Sequence, residues 1–184
     1  YALVSIALPL QEGRDLPRYL LDYAQLFEAH VTFPQAILSR TPGTPLVAGA
    51  LLDLGPVVSE VGMAVLYSLS IVAWFSVARR FGPVAALTTA GALLAYPGYV
   101  LLFHELASDA LFAAAFALLA LLLTRAVERP TAGRAAALGV GVAALVFTRP
   151  VGQVLVLLGL APLLAARGLR PRALAAAAFA AGAL

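Results

Sequence analysis

The sequence lacks cysteine and has little of several other chemically active residues. Among its 184 residues there are two histidines, one methionine, one tryptophan and no cysteine. Without cysteine the chain can form neither a disulfide framework nor a thiolate metal site, and it has no thiol nucleophile. Two histidines are too few for a histidine-rich metal site.

Charge is also scarce. Charged residues make up 11% of the chain and hydrophobic residues 62%, whereas soluble domains carry about 25% and about 45–50%. Such a composition cannot coat a soluble fold with polar side chains, which excludes a soluble enzyme and a disordered tail. We expect an all-α integral membrane protein. Since the chain starts at Tyr1 and ends within an apolar run, we also expect a piece of a longer protein.

Long apolar runs predict a polytopic transmembrane helix bundle of about seven spans, the first and last incomplete. A membrane-spanning helix needs about 20 apolar residues. The runs cover residues 1–10, 56–77, 83–103, 106–124, 135–148, 151–166 and 173–184. Arg149 and Pro150 separate two short runs, and a turn is expected there because proline disfavours helix at the preceding residue. Residues 56–184 would form the membrane spans of a single module.

The placement of arginine predicts the topology. All basic residues are arginine, and eight of the twelve fall in short clusters on one side of the predicted bundle: Arg79, Arg80, Arg125, Arg129, Arg134, Arg167, Arg170 and Arg172. The positive-inside rule makes that side cytoplasmic. This pattern explains the net charge of +3 as a topology signal, so we expect no nucleic-acid partner.

The opposite, non-cytoplasmic side is expected to carry the chemistry. It holds every acidic residue except Glu128, and it includes a long loop over residues 11–55. Loops of this length without a function are uncommon. Apolar and polar residues recur within the loop at helical spacing, which predicts an amphipathic helix lying in the membrane interface. Its predicted polar stripe is Asp15, Arg18, Asp22, Gln25 and Glu28, and its apolar stripe is Leu16, Tyr19, Leu20, Tyr23 and Phe27.

Three places on the non-cytoplasmic side admit both a structural and a functional interpretation. Asp15 is either the N-cap of the amphipathic helix or a catalytic carboxylate, and the two are compatible. Arg40, in a turn rich in proline, either anchors the loop at lipid headgroups or binds a phosphate with its planar fork. Arg149 either pairs with Asp15, Glu105 or Asp109, or binds a substrate phosphate.

Residues 104–109, with the sequence HELASD, are a further candidate. Ser108 and Asp109 can cap the following helix, where acidic residues are favoured. Glu105 and Asp109 are four residues apart, and on one helical face they could hold a divalent ion or position a hydroxyl.

The order of these features resembles the GT-C superfamily of membrane glycosyltransferases. The resemblance rests on GRDLPRYL at residues 13–20, RTPGTPL at residues 40–46 and HELASDALF at residues 104–112. It is most similar to the bacterial branch related to protein O-mannosyltransferases and the lipid A aminoarabinose transferase. The chain departs from that pattern at Thr41, where the first proline of the turn is usual, and at Leu16, where a second acid is frequent. Because Asp22 is also in the loop, the second departure leaves the identity of the base open.

The resemblance implies transfer of a sugar from a polyprenyl-phosphate donor to a glycan, lipid or protein acceptor, with inversion. The reaction would take place on the non-cytoplasmic side of a bacterial plasma membrane. The implied roles are Asp15 as general base, and Arg40, Arg149 and His104 at the donor phosphate. Nearly the whole chain is covered and corresponds to the family's N-terminal membrane module, without its C-terminal part.

The same resemblance implies that Glu105 and Asp109 bind the acceptor or a divalent metal ion. Some branches of the superfamily need a metal and others do not, so the metal dependence stays open. Two functions of other classes are alternatives. A membrane transporter or lipid flippase would show an inverted repeat with broken helices, and no such repeat is visible in the sequence. A noncatalytic membrane scaffold would tolerate replacement of the charged residues.

Overall fold

The computed structural model describes residues 1–27, 41–166 and 168–183. Within these ranges the fold is helical, apart from one pair of two-residue strands. The α-helices are α1 (Ala2–Ala7), α2 (Leu16–Phe27), α3 (Gly43–Asp53), α4 (Pro56–Ala78), α5 (Pro83–Ala95), α6 (Pro97–Leu102), α7 (Ser108–Glu128), α8 (Ala132–Thr148), α9 (Leu160–Ala165) and α10 (Leu169–Ala183). Two 3-10 helices cover Arg79–Phe81 and Pro150–Gly159, and the strands are β1 (Gln11–Glu12) and β2 (Glu105–Leu106).

Two of the described helices are long and apolar enough to cross a membrane. They are Pro56–Phe81, with 26 residues and a mean hydropathy of 1.9, and Ser108–Glu128, with 21 residues and a mean hydropathy of 2.2. Only 28% and 33% of their most apolar windows are buried inside the protein. A core helix of a soluble protein would be mostly buried, whereas these helices leave a broad apolar surface that suits lipid. This exposure favours a membrane protein.

The predicted count of about seven spans is not confirmed. The run over residues 83–103 forms two helices, because α5 ends at Ala95 and α6 begins at Pro97. Tyr96 between them has extended backbone angles, φ −84° and ψ 108°. Proline has no backbone N–H and clashes with a helical residue before it, which explains the break. The other apolar helices in the described ranges are shorter than a full span.

The turn expected at Arg149 and Pro150 is confirmed. Helix α8 ends at Thr148, and Arg149 is extended, with φ −149° and ψ 136°. The predicted helix over residues 151–166 differs from the structure, because Pro150–Gly159 forms a 3-10 helix and α-helix begins only at Leu160. A 3-10 helix of this length is uncommon.

Helices α8 and α10 pack with their backbones in close contact. A Cβ atom on Gly139 would lie 2.2 Å from the carbonyl oxygen of Phe179, and one on Gly182 would lie 2.2 Å from that of Ala136. Small residues allow such approach between helices in a membrane. A hydrophobic core around Leu119, Leu138 and Leu145 continues from this contact towards α7.

A short parallel strand pair joins two segments that are distant in sequence. Gln11 lies opposite Glu105 and Glu12 lies opposite Leu106. The next residue, Gly13, is buried so tightly that a Cβ atom there would lie 2.9 Å from the carbonyl oxygen of Leu106. The bridge therefore fixes the beginning of α2 next to the beginning of α7. No pattern in the sequence predicts this strand pair.

Candidate functional site

Asp15 and Arg149 line the same cavity. The cavity has a volume of about 240 Å³ and is lined by Asp15, Tyr19, Thr41, Thr44, Ser108, Thr148, Arg149 and Pro150. These residues come from the beginnings of α2, α3 and α7 and from the end of α8. A carboxylate, a guanidinium and several hydroxyl groups thus meet at one place, although they lie far apart in the chain.

Asp15 occupies the position before the first turn of α2. Its backbone carbonyl accepts hydrogen bonds from the N–H groups of Arg18, at 3.1 Å, and Tyr19, at 3.0 Å. The helix therefore begins directly after Asp15, at the position that an N-cap residue takes. The residue is exposed and lines the cavity. The structural and functional interpretations of Asp15 are thus compatible in the fold, and the strand pair sets its position.

Arg149 forms an ion pair with Asp109. Its Nη1 donates to Oδ1 of that residue, and its Cζ lies 5.9 Å from the centre of the Phe112 ring. The side chains of Arg149 and Asp109 keep 40% and 55% of their surface exposed. An exposed ion pair adds little stability, about 0–1 kcal/mol, so its main effect is to orient the guanidinium. Of the three partners considered for Arg149, the structure selects Asp109.

Threonine residues close the cavity between α3 and α8. Thr44 is buried, and its hydroxyl donates to the carbonyl oxygen of Thr148 at 3.3 Å. Gly43 lies against Phe147, where a Cβ atom would be 2.4 Å from the carbonyl oxygen. Sequence reasoning did not assign Thr44, Thr148 or Tyr19 to the site. Thr44 and Tyr19 lie within the segments RTPGTPL and GRDLPRYL, whereas nothing in the sequence marks Thr148.

A second, apolar groove begins at the same place. It has a volume of about 340 Å³ and lies between α3, α4 and α7, lined by Val47, Leu66, Leu69, Val72, Ala73, Leu111, Ala114, Ala115, Leu118, Leu121 and Thr148. Thr148 lines both the groove and the polar cavity. A charged cavity and a hydrocarbon-lined groove therefore adjoin, which is the arrangement needed for a ligand with a polar head and an apolar tail.

His104 and Glu105 lie elsewhere. His104 is 3% exposed, its Nε2 lies 3.3 Å from the Ser5 hydroxyl, and its ring centre lies 4.4 Å from that of Tyr1. Glu105 is half-buried in β2 beside Gly13. Among the described residues neither belongs to the cavity lining. The fold does not place either side chain in the cavity with Arg149, and the roles predicted for the two residues stay predictions.

The structure leaves two other sequence predictions untested. Arg40, predicted at the donor phosphate, lies outside the described residues. In the parts of the chain that the structure describes, no three histidine, aspartate or glutamate side chains are grouped so that they could hold a metal ion. Glu105 and Asp109 as ligands of a divalent ion therefore stay a prediction.

The polar stripe predicted for α2 is wrong at Asp22. This residue is 5% exposed and shares the buried face with Leu16 and Tyr19, two residues of the predicted apolar stripe. Phe27, also predicted on the apolar stripe, is 68% exposed. One oxygen of Asp22, Oδ2, is buried without a hydrogen-bond partner among the residues that the structure describes. Helix α2 therefore buries Asp22 together with part of the predicted apolar stripe, and it packs against another helix of the protein, α3.

Helix α2 packs on α3 through Tyr23. A Cβ atom on Gly49 would lie 2.3 Å from Cγ of Tyr23, so the ring rests directly on the α3 backbone. The Tyr23 hydroxyl donates to Oδ2 of Asp53 at 2.8 Å. This hydrogen bond, with smaller effects of desolvation and of the Asp53 charge, raises the pKa of the Tyr23 phenol. The contact ties α2, which follows Asp15, to α3, whose first turn contains Thr44.

We expect Asp53→Asn to move the titration of one tyrosine to lower pH. The folded pKa of Tyr23 lies above its unfolded value of about 10. The bond therefore stabilises the fold below that value, and its contribution is lost as pH rises through the folded pKa. Phenolate absorbance during an alkaline titration measures this, with Tyr23→Phe identifying the group. Superimposable curves for the wild type and Asp53→Asn would contradict the contact.

Comparison of the chain with family models, with curated proteins and with solved structures finds no match.

Proposed function

We propose that the chain is the membrane part of a glycosyltransferase that moves a sugar from a polyprenyl-phosphate donor to an acceptor hydroxyl. The observation that carries the proposal is the adjoining pair of sites, because a polar cavity with Asp15 and Arg149 shares Thr148 with an apolar groove. A prenyl-phosphate sugar needs both environments at once. The order of motifs that resembles the GT-C superfamily supports the same function.

The cavity suits the head of such a donor. Binding sites for drug-sized ligands usually measure about 300–1,000 Å³, so a cavity of about 240 Å³ fits one small polar group. Arg149 would bind the phosphate with its planar fork, which matches phosphate oxygens. Asp109 would keep that guanidinium in place. The hydroxyl of Ser108 supplies a further hydrogen-bonding group beside the phosphate.

The proposed reaction needs one base. Asp15 accepts the proton of the acceptor hydroxyl, and the acceptor oxygen attacks the anomeric carbon from the face opposite the phosphate. The bond between that carbon and the phosphate oxygen breaks, and the polyprenyl phosphate leaves with the electron pair. Arg149 stabilises the charge that develops on the leaving phosphate. Attack from the opposite face gives inversion.

In this proposal the donor tail lies in the apolar groove between α4 and α7. Val47 lines it from α3, Leu69 from α4 and Ala114 from α7. In this orientation the cavity faces the non-cytoplasmic side, and the arginines at the other ends of α4 and α7 face the cytoplasm, as the positive-inside rule requires. The partners would be membrane lipids, the lipid-linked sugar and a glycan, lipid or protein acceptor at the bacterial plasma membrane.

We expect Ala114→Phe to weaken use of long-chain donors selectively. The added ring fills part of the groove, so KM for a long polyprenyl-phosphate sugar should rise about tenfold, the cost of a few lost methylene contacts. A short-chain donor analogue, whose tail does not reach Ala114, should be used as before. Radiolabelled transfer in membranes containing the protein measures both values.

Ala120→Phe is the matched control. Ala120 lies on the same helix and is half-buried, but it is not among the described residues that line the groove. An equal loss with both donors, or an equal loss in the control, would contradict a tail in this groove. Absence of any sugar product with the wild type would contradict the proposed function itself.

A transporter is the second candidate, because the chain has broken helices. Apolar helical runs are interrupted at Tyr96–Pro97 and at Arg149–Pro150, and interrupted helices are typical of transporter binding sites. Uptake of a labelled lipid or solute into vesicles, without formation of a glycosidic bond, would favour this candidate over the transferase.

A further inference from the structure

A group of arginines surrounds a pair of cavities at the far end of α7. The cavities measure about 420 and 360 Å³ and share Arg80, Arg125 and Glu128 in their lining. Ser108 lines the Asp15 cavity at one end of α7, and Glu128 lies at the other end. Because α-helix rises 1.5 Å per residue, the two places are about 30 Å apart. This pair of cavities, which we call the arginine cavity, is therefore separate from the site described above.

Positive charge in the arginine cavity exceeds negative charge. Five arginines and one acidic residue line it: Arg79, Arg80, Arg125, Arg129, Arg134 and Glu128. The acid is already engaged, since Nε and Nη2 of Arg80 donate to the two oxygens of Glu128. Convergence of like charges costs free energy unless an anion joins them. The positive-inside rule explains why arginines lie at this end, but it does not require them to converge on one cavity.

The beginning of α8 faces the same cavity. Gly133, in the first turn of this 17-residue helix, is part of the lining, and space is open around it because a Cβ atom there would meet no atom within 4 Å. Arg134 is held in place, with Nη1 donating to the carbonyl oxygen of Arg125 at 2.8 Å. The N-terminus of a helix carries positive potential and favours phosphate groups. The helix dipole and the guanidinium groups therefore act on the same volume.

Apolar surface adjoins the charged groups. Leu122 and Ala137 belong to the lining. Close by in the chain, Phe81 follows Arg80 and is 81% exposed, and Val84 is 75% exposed. Exposed apolar side chains next to arginines at the end of a spanning helix suit a lipid, whose acyl chains lie along the helix while its headgroup meets the cations.

We propose that the arginine cavity binds a phosphate group, and that its source is the headgroup of an anionic membrane lipid. Arg125, Arg129 and Arg134 bind the phosphate oxygens through charge-assisted hydrogen bonds. Arg80 remains paired with Glu128 and closes one side. The site does not depend on the proposed transferase activity.

The experiment compares lipid binding by the wild type and by Arg125→Gln/Arg129→Gln. The protein is placed in nanodiscs of phosphatidylcholine with or without phosphatidic acid, and lipid retention is measured by native mass spectrometry together with the unfolding temperature. Phosphatidic acid should be retained by the wild type and should raise its unfolding temperature. Each arginine removed should lower the affinity about fivefold. Inorganic phosphate with phosphatidylcholine nanodiscs forms the second arm.

Arg14→Gln/Arg18→Gln is the matched control, since it removes the same charge from two exposed residues near the other site. Equal loss of phosphatidic acid in both double variants, or no loss in either, would overturn the proposal. Equal stabilisation by inorganic phosphate, lost in Arg125→Gln/Arg129→Gln, would make soluble phosphate the ligand and overturn the lipid source. If the double variant does not fold, Arg129→Gln alone is compared with Arg129→Lys, which keeps the charge and should retain more lipid.

Discussion

Asp15→Asn is expected to reduce sugar transfer by about 10²–10⁴-fold, the usual contribution of a general base. The amide has nearly the shape of the carboxylate but cannot accept the acceptor proton. Since Asp15 occupies the N-cap position before α2 and asparagine is also a good N-cap residue, the helix should still form. The loss should appear in kcat while donor binding changes little. Transfer from a radiolabelled polyprenyl-phosphate sugar, in membranes containing the protein, measures it.

Two matched variants decide what a loss of activity means. Glu12→Gln removes an exposed carboxylate from β1, three residues away, and should transfer sugar at the wild-type rate. Asp22→Asn tests the other acid of the same helix, which the sequence left open as a base. Activity that survives Asp15→Asn and is lost with Asp22→Asn would assign the base to Asp22. Activity that survives both would remove the general-base mechanism.

Arg149→Gln is expected to lower kcat/KM by about 10²–10³-fold. Loss of one preorganised donor to a developing negative charge has effects of this size. Arg149→Lys should recover part of the activity, because it returns the charge without the planar fork. Both kcat and KM should be determined with the same lipid-linked donor as for Asp15.

Asp109→Asn separates phosphate binding from a purely structural ion pair. The exposed pair between Arg149 and Asp109 contributes about 0–1 kcal/mol, so its loss should cost less than about fivefold as long as the guanidinium still meets the phosphate. If Arg149 served only as the partner of Asp109, the two variants would lose activity equally. An equal loss would therefore contradict the role of Arg149 at the donor.

Much of the fold follows from local signals. The apolar runs over residues 56–77 and 106–124 predicted the two helices that the structure shows as long enough to span a membrane. The apolar run over residues 83–103 is divided into two helices in the structure. Hydropathy does not reveal this break, because it takes no account of the backbone, and Pro97 interrupts the helix within an apolar stretch. The helical spacing of α2 predicted the helix correctly and its buried face incorrectly at Asp22. The polarity of the side chains predicted that Asp22 lies on the exposed stripe, whereas in the fold it lies on the buried face.

The candidate site was only partly accessible from sequence. Asp15, Asp109 and Arg149 were singled out by charge at the ends of apolar runs, and the fold brings Asp15 to Arg149 and pairs Arg149 with Asp109. Three partners for Arg149 were equally compatible with the sequence, because spacing along the chain says nothing about distance between helices. Thr148 had neither a charge nor a motif to mark it, and Thr44 lies in the RTPGTPL segment without a charge of its own.

The amino-acid sequence by itself determined that the chain is helical and suited to lipid, because composition and periodicity act within one segment. It also determined which residues carry charge at the helix ends. Only the tertiary structure decided which of these charges meet. The two-residue strand pair at Gln11 and Glu105, the close contact at Gly43 and the break at Arg149 are each small, local features. Their effect on the site is long-range, since each one fixes how two separate segments of backbone lie against each other.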